Sequence, residues 1–573
     1  AGLDAFRLLD QGDPSRIIYS VTIYEKGEGE NLLRVQADNL NQPLNINEGT
    51  QLELGSSAKL RTLATYLEVV AELRERLTSP PGDSLRAKAI EKNDPLTRWA
   101  ARYLASDSDT SLEAMLDAAL ERRYSASPGE GFFTGGGLHH FSNFNPEDDD
   151  KVYSVRDAFR HSVNLVFIRL MGDVVEYFKY RGPGGMEVLE NAADPRRREY
   201  LERFADREGR IFIRRFHGKY KEKKAEEALE LLIEGRQLSP SRLAALYCGA
   251  VPEAGVDDLA SFLRGNLPQS KLPDATILRL HQSYAGDAIS LVDRGFVARV
   301  HPLEVWTVAY LRRNPEATLD EAIAASKDER LAVYEWLFRT HEKDKQDKRI
   351  RTLLEMEAFQ EIHRSWKRLG YPFGSLVPSY ATAIGSSGDR PAALAELAGI
   401  IQNGGVRFPT ARVRELHFAE GTPFETKLSG DRRSMGERVL SPPVADCLRR
   451  ELIGVVEEGT ARRLRGAFAS SDGRTWEVGG KTGTGDNRHK TYGAGGALID
   501  SVIMSRTASF VFLIGDRFFG TVVAYVEKPE EGEYRFTSTL PVHVLKLLAP
   551  VIQPLLEDGG DASKAEGDSP PLS

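Results

Sequence analysis

Apolar and polar residues follow different periods in different parts of this chain, and the changes of period mark its elements. The run Arg16 to Glu25 (RIIYSVTIYE) is dense in β-branched and aromatic residues and predicts a strand. After Gly55, apolar residues at Leu60, Leu63, Ala64, Leu67, Val70, Ala71 and Leu77 recur at helical spacing, so a long amphipathic helix is predicted to start near Ser56. Gly129 to Asn145 is rich in glycine and aromatics and reads as loop. Ser154 and Asp157 have the spacing of a capping pair opening the helix VRDAFRH, and a second helix, LVFIRLMGDVVEYF, follows Asn164.

From Arg181 to Leu369 the chain turns charged and rich in leucine and alanine, which predicts a mostly helical insertion over 181–369. Ala392 to Gln402 is again helical and closes at Gly404-Gly405. The C-terminal third becomes strand-like: TWEVGGKTGTG, then TASFVFLIG and FFGTVVAYVE around a turn at Asp516-Arg517. A last helix runs near Leu540 to Leu556, and residues 557–573 read as a disordered polar tail. The expected division is therefore 1–180 and 370–556 as two parts of one α+β domain, separated by the insertion.

Composition narrows the function. At 573 residues the chain should hold at least two packed units. The net charge of −8 is dispersed and includes no basic stripe, so nucleic acid is not an expected partner. Cys248 and Cys447 are far apart without a CxxC, which argues against a disulfide framework or zinc site and suits either redox compartment. No apolar run reaches the roughly 18 residues of a membrane span, so the chain reads as soluble. It starts with Ala1 rather than Met, and an anchor or further domain is expected upstream.

Three short motifs carry chemistry. In Ser56-Ser57-Ala58-Lys59, positions i and i+3 share a helix face, so a hydroxyl nucleophile can meet an amine base. Lys59 accepts a proton only when neutral, which requires burial or a neighbouring cation. In Ser162-Val163-Asn164, a short loop between helices can aim a hydroxyl that relays a proton and an amide that fixes substrate or Lys59. Lys481-Thr482-Gly483-Thr484 follows Gly479-Gly480 on a strand. Its cation and hydroxyls suit a carboxylate, its edge can pair with an extended peptide, and its glycines are expected to let the substrate backbone come close. Each motif alone is common: an exposed helix start, a serine satisfying backbone groups, a strand end. Their order, each in the context its chemistry needs, makes the combination informative.

With these motifs the sequence resembles the penicillin-binding transpeptidases, most closely the transpeptidase domain of the bifunctional class A enzymes. NINEGTQLELGSSAKL, NFNPEDDDKVYSVRDAFRHSVNLVFIRL, LGYPFGSLVPSYATAIGSS, IIQNGGVRFP, VLSPPVADCLRRELIGVVEEGTARRL and GGKTGTG are similar to that family's landmarks, over roughly residues 15–180 and 370–545. The resemblance implies an α/β (α+β) fold: an antiparallel sheet flanked by helices, with an all-helical subdomain. It implies that Ser56 is acylated, Lys59 is its base, Ser162 relays the proton and Asn164 orients substrate. Lys481, Thr482, Gly483 and Thr484 would hold the terminal carboxylate, with the backbone N–H groups of Ser56 and Thr484 as oxyanion hole. It further implies peptidoglycan stem peptides as substrates, β-lactam antibiotics as covalent inhibitors, no cofactor, and a place at the periplasmic face of a bacterial cell envelope. The insertion is longer than the resemblance leads one to expect and offers a surface for cell-wall assembly proteins.

A serine β-lactamase would need a second base, and no ExxLN segment supplies it between the second and third motifs. A D,D-carboxypeptidase would share every motif. An inactive scaffold would have no reason to keep all three. His139-His140 near Asp148 to Asp150 lacks HxxxH or HExxH spacing and reads as a solvated loop, not a metal site. Gly135 to Gly137 lacks the Lys-Ser/Thr of a phosphate loop, and Lys219 to Lys224 reads as a solvated helix face.

Overall fold

The computed structural model describes residues 7–79, 94–106, 109–181, 185–339, 343–413, 415–429, 435–470, 473–492 and 498–557. The chain forms two compact units, 1–183 with 355–573, and 184–354.

The first unit is built on a six-stranded sheet. Strands β1 (Ile18–Lys26), β2 (Asn31–Asp38), β3 (Thr410–Ala411), β4 (Val478–Tyr492), β5 (Leu498–Ile514) and β6 (Phe518–Glu527) lie in the order β4-β5-β6-β1-β2-β3. All pairs are antiparallel except β2 with β3. The sheet is therefore antiparallel in character, and β4 forms one edge. The hairpin β5–β6 turns through Gly515, Asp516 and Arg517, with Ile514 opposite Phe518 and Gly515 at φ +54°. Phe510, Val511, Phe512, Leu513, Val522 and Val523 are buried in both strands, which explains their near-continuous apolar sequence.

The helices that matter for the site are α1 (Lys59–Thr78), α2 (Val155–His161), α3 (Asn164–Arg181), α4 (Pro391–Gln402), α5 (Pro442–Glu457) and α6 (Thr539–Glu557). Ser154 caps α2 as its sequence suggests, accepting from the Asp157 N–H at 3.0 Å and donating to the Asp157 carboxylate at 2.8 Å. Helix α1 is buried on nearly every side over its first three turns. Within it Arg61 is fully buried and donates to Asp389 at 2.6 Å. Helix α6 is long and apolar enough to cross a membrane by length and composition, although no unbroken apolar run of that length marks it in the sequence. Leu540, Val542, Leu545, Ala549 and Ile552 on it are buried in the protein core.

The second unit is helical throughout, from Glu187–Glu190 to the long helix Lys343–Arg368. Its core gathers Ile213, Phe216, Leu232, Leu246, Leu303, Val305 and Val308. The predicted helical stretch 181–369 extends past this unit, because residues from Glu355 onward belong to the first. Ala358, Phe359, Ile362, Trp366 and Leu369 pack into the same core as α1. Helical periodicity runs through the boundary without a break, and only the burial partners change. The tail expected at 557–573 lies outside the described residues apart from Glu557, which ends α6.

Candidate active site

Ser56 sits in a single 3-10 turn, Gly55–Ala58, that leads directly into α1 at Lys59. The turn is held against the edge strand by glycines. A Cβ on Gly483 would stand 2.0 Å from the Leu54 carbonyl oxygen, one on Gly485 2.2 Å from that of Glu53, and one on Gly55 2.0 Å from that of Thr484. Backbone meets backbone here, and any side chain would force the Ser56 turn away from the strand. Gly479 and Gly480 serve similar ends: the first faces α5 at Leu452 and Ile453, the second the ring of Phe510. On the side where a Cβ would stand, these glycines admit protein backbone and side chains.

The three motifs converge. The Lys59 nitrogen contacts the Ser56 hydroxyl at 2.9 Å, the Ser162 carbonyl at 2.6 Å, the Ser162 hydroxyl at 3.1 Å and the Asn164 amide oxygen at 2.8 Å. Lys481 donates to the Ser162 hydroxyl at 3.0 Å and to the Thr482 carbonyl at 3.1 Å. Ser162 achieves its double contact because it ends α2 in the left-handed region, φ 61° and ψ 36°. For a non-glycine residue that conformation costs on the order of 1 kcal/mol and is retained where the surroundings require it. Asn164 opens α3 and donates its amide N–H to the Ser142 carbonyl at 3.1 Å. Of the two partners expected for Asn164, it is Lys59 that its amide oxygen engages.

Both lysines are fully buried. Burial, and after it the charge on Lys481, hold Lys59 well below the usual lysine range. Burial alone pushes Lys481 down to about 7. Hydrogen-bond inventory then assigns roles. A neutral amine has two N–H donors and one lone pair. The Ser162 carbonyl and the Asn164 amide oxygen can only accept, so they take the two donors of neutral Lys59. The lone pair is left for a hydroxyl, with Ser56 at 2.9 Å and Ser162 at 3.1 Å. The arrangement can therefore take a proton from Ser56 and pass it on through Ser162.

These groups border a cavity of about 970 Å³ lined by Ser56, Ser162, Asn164, Thr482, Gly483 and Thr484. Lys481 is not on its surface, because the ammonium lies behind Ser162. Sequence reasoning left several lining residues without a role. Thr460 shares a hydroxyl hydrogen bond of 2.7 Å with Thr482, and the Thr484 hydroxyl accepts from the Ser538 N–H at 2.9 Å. Thr460 lies within the VVEEGTARRL landmark, but only the fold brings it to the strand. His139 and His140, singled out and discounted as metal ligands, are exposed. Asp148 instead accepts from the Tyr153 hydroxyl at 2.6 Å. Cys248 and Cys447 are buried thiols that burial pushes up to about 11 and about 12.

No protein-family model and no curated protein matches the chain. Among solved structures it is similar to the penicillin-binding protein PonA1 from Mycobacterium tuberculosis, at 12% identity and TM-score 0.41, covering 99% of this chain and 85% of that one. It is similar to the D,D-transpeptidase domain of a peptidoglycan glycosyltransferase from Eggerthella lenta, at 13% identity and TM-score 0.37, covering 96% and 79%. It is also similar to a peptidoglycan synthetase from Bifidobacterium adolescentis, at 9% identity and TM-score 0.35, covering 97% of this chain; the chain spans 58% of that protein's length.

Proposed function

We propose that this chain is a penicillin-sensitive serine D,D-transpeptidase that cross-links peptidoglycan stem peptides through an acyl-enzyme on Ser56. The observation that carries the reading is the contact of the Lys59 nitrogen with Ser56, Ser162 and Asn164 in a fully buried setting that disfavours its charge. Neutral Lys59 takes the Ser56 proton as the oxygen attacks the carbonyl carbon of the penultimate D-alanine. The N–H groups of Ser56 and Thr484 receive the oxyanion. Collapse breaks the bond to the terminal D-alanine, whose nitrogen takes a proton from the Ser162 hydroxyl, and Lys59 replaces that proton. An amine of a neighbouring stem peptide then attacks the ester. Its proton leaves by the reverse path, the ester C–O bond breaks, and Ser56 is regenerated with a new amide formed.

Thr482 and Thr484 hold the substrate carboxylate at the cavity surface, with Lys481 acting from behind Ser162. A D,D-carboxypeptidase would differ only in using water as acceptor. The test is labelling with a fluorescent penicillin followed by peptide mapping. A single adduct on the Ser56 peptide, absent in Ser56→Ala, is expected, and an adduct that persists in Ser56→Ala sinks the assignment. Adding an amine acceptor to the peptide substrate then separates the two activities, since a transpeptidase diverts product to the new amide.

A further inference from the structure

Between helix α5 and the edge strand β4 the chain makes a brace that the acylation steps do not use. Helix α5 ends at Glu457, and Gly459 and Thr460 follow. Gly459 is pressed onto the end of α2: a Cβ there would stand 2.2 Å from the Arg160 carbonyl oxygen, which accepts the Thr460 N–H at 3.1 Å. The Arg160 guanidinium reaches back to Glu451 of α5 at 3.0 Å and to Glu458 at 2.7 Å. Arg160 stands just before His161 and Ser162, so the relay serine and Thr460 share one anchor. On its other side the Thr460 hydroxyl meets the Thr482 hydroxyl at 2.7 Å. Thr482 is almost fully buried, and its hydroxyl has no other hydrogen-bond partner among the described residues. Thr460 is exposed on the cavity wall.

We propose that Thr460 is a positioning residue for substrate binding: its hydroxyl donates to Thr482 and so turns the Thr482 proton toward the terminal carboxylate of the donor peptide. The inference rests on the transpeptidase reading and adds to it a residue outside the three motifs. A threonine hydroxyl has one proton and two lone pairs. A carboxylate only accepts, so Thr482 grips it only while its own proton is not given to Thr460. Donation from Thr460 fixes that direction, and a hydroxyl that accepts one hydrogen bond donates the next more strongly. Thr484 is set in the same way, because its oxygen accepts the Ser538 N–H at 2.9 Å and its proton is left for the cavity. Since the Thr460 backbone hangs on α2, the carboxylate grip is also held in register with the Ser162 relay.

The experiment measures kcat and KM for D-alanine release from an acyl-D-alanyl-D-alanine peptide, and for D-alaninamide release from the same peptide with a C-terminal carboxamide. Wild type is expected to prefer the acid. In Thr460→Val, shown to be folded by a thermal melt, kcat/KM for the acid should fall about tenfold, mostly in KM, while that for the amide changes less than about threefold. Thr460→Ala gives the same comparison should valine disturb the fold, and Thr460→Ser should keep the wild-type preference. In a Thr482→Val background Thr460→Val should add no further loss, because the hydroxyl it orients is gone. A wild type without acid preference, an equal fall for acid and amide, an unchanged preference in Thr460→Val, or a further loss in the Thr482→Val background overturns the positioning role, while a Ser56 adduct leaves the transpeptidase reading standing. Absence of any Ser56 adduct overturns that reading and the positioning role with it.

Discussion

Lys59 meets Ser162 twice, at its carbonyl oxygen 2.6 Å away and at its hydroxyl 3.1 Å away, and only the left-handed backbone of Ser162 turns both groups to one nitrogen. Replacement by glycine keeps the carbonyl and the turn but removes the hydroxyl. Ser162→Gly should therefore retain or slightly raise Tm, since glycine adopts this conformation without strain. Acylation should fall by about 10²-fold, the size of a lost acid–base relay. Stopped-flow labelling beside a thermal melt checks both, and undiminished acylation would remove Ser162 from the proton path.

Lys481 lowers the proton affinity of Lys59 by its charge, after burial has done most of the work. In Lys481→Gln that repulsion is gone, so Lys59 should bind its proton more tightly and the rising limb of the acylation profile should move to higher pH. The rate itself should fall roughly tenfold to a hundredfold with the lost charge-assisted hydrogen bond. A lower rate with an unmoved limb would show that Lys481 does not tune the base.

The same residue makes stability depend on pH. Its folded value is about 7, below the ordinary lysine value of 10.5. Between these limits the unfolded chain binds a proton that the folded chain does not, so stability rises with pH in that window and is lost as pH falls toward 7. Relative to Lys481→Met, wild type should gain stability as pH rises from about 7 to about 10, a trend removed by the substitution. Paired melts at several pH values provide the comparison, and parallel curves would contradict the assigned shift.

Gly483 tests the strand-to-turn contact. A Cβ there would lie 2.0 Å from the Leu54 carbonyl oxygen and 2.9 Å from the Ser57 nitrogen. Gly483→Ala should lower Tm by several degrees, as expected for about 1–3 kcal/mol of overpacking. Displacement of the nucleophile by even about 1 Å should cut acylation by about 10²-fold. Normal labelling kinetics would mean that the turn accommodates the methyl group.

Glu451 anchors the helix that ends in Ser162. Its carboxylate, almost fully buried, accepts from Arg156 and Arg160 of α2 at 3.0 Å each, and the Arg160 carbonyl accepts from the Thr460 N–H at 3.1 Å. Glu451→Ala should cost about 1–3 kcal/mol by removing the buried carboxylate that Arg156 and Arg160 share, Arg156 keeping Asp117 and Glu121 and Arg160 keeping Glu458. Glu451→Gln, which keeps the shape, should recover part of the Tm. Acylation below wild type in that variant at a temperature where it is fully folded would mark Glu451 as positioning Ser162 and Thr460. Wild-type acylation would assign it to stability alone.

Local spacing carries the elements and the candidates. The helical period after Gly55, the capping pair Ser154 and Asp157, the apolar runs of β5 and β6, and the i, i+3 relation of Ser56 and Lys59 are all short-range, because side-chain direction repeats every 3.6 residues in a helix and every two in a strand. What tertiary structure decided is long-range. It set Lys481 beside Ser162 across 319 residues of chain, paired Thr460 with Thr482, filled the glycine faces of β4 with protein, and divided a continuous helical pattern at Glu355. It also lowered the proton affinity of two lysines. Lys59 and Lys481 look like any lysines in sequence, and their lowered proton affinity comes from being sealed away from water by segments remote in the chain, since desolvation is set by everything packed around a group.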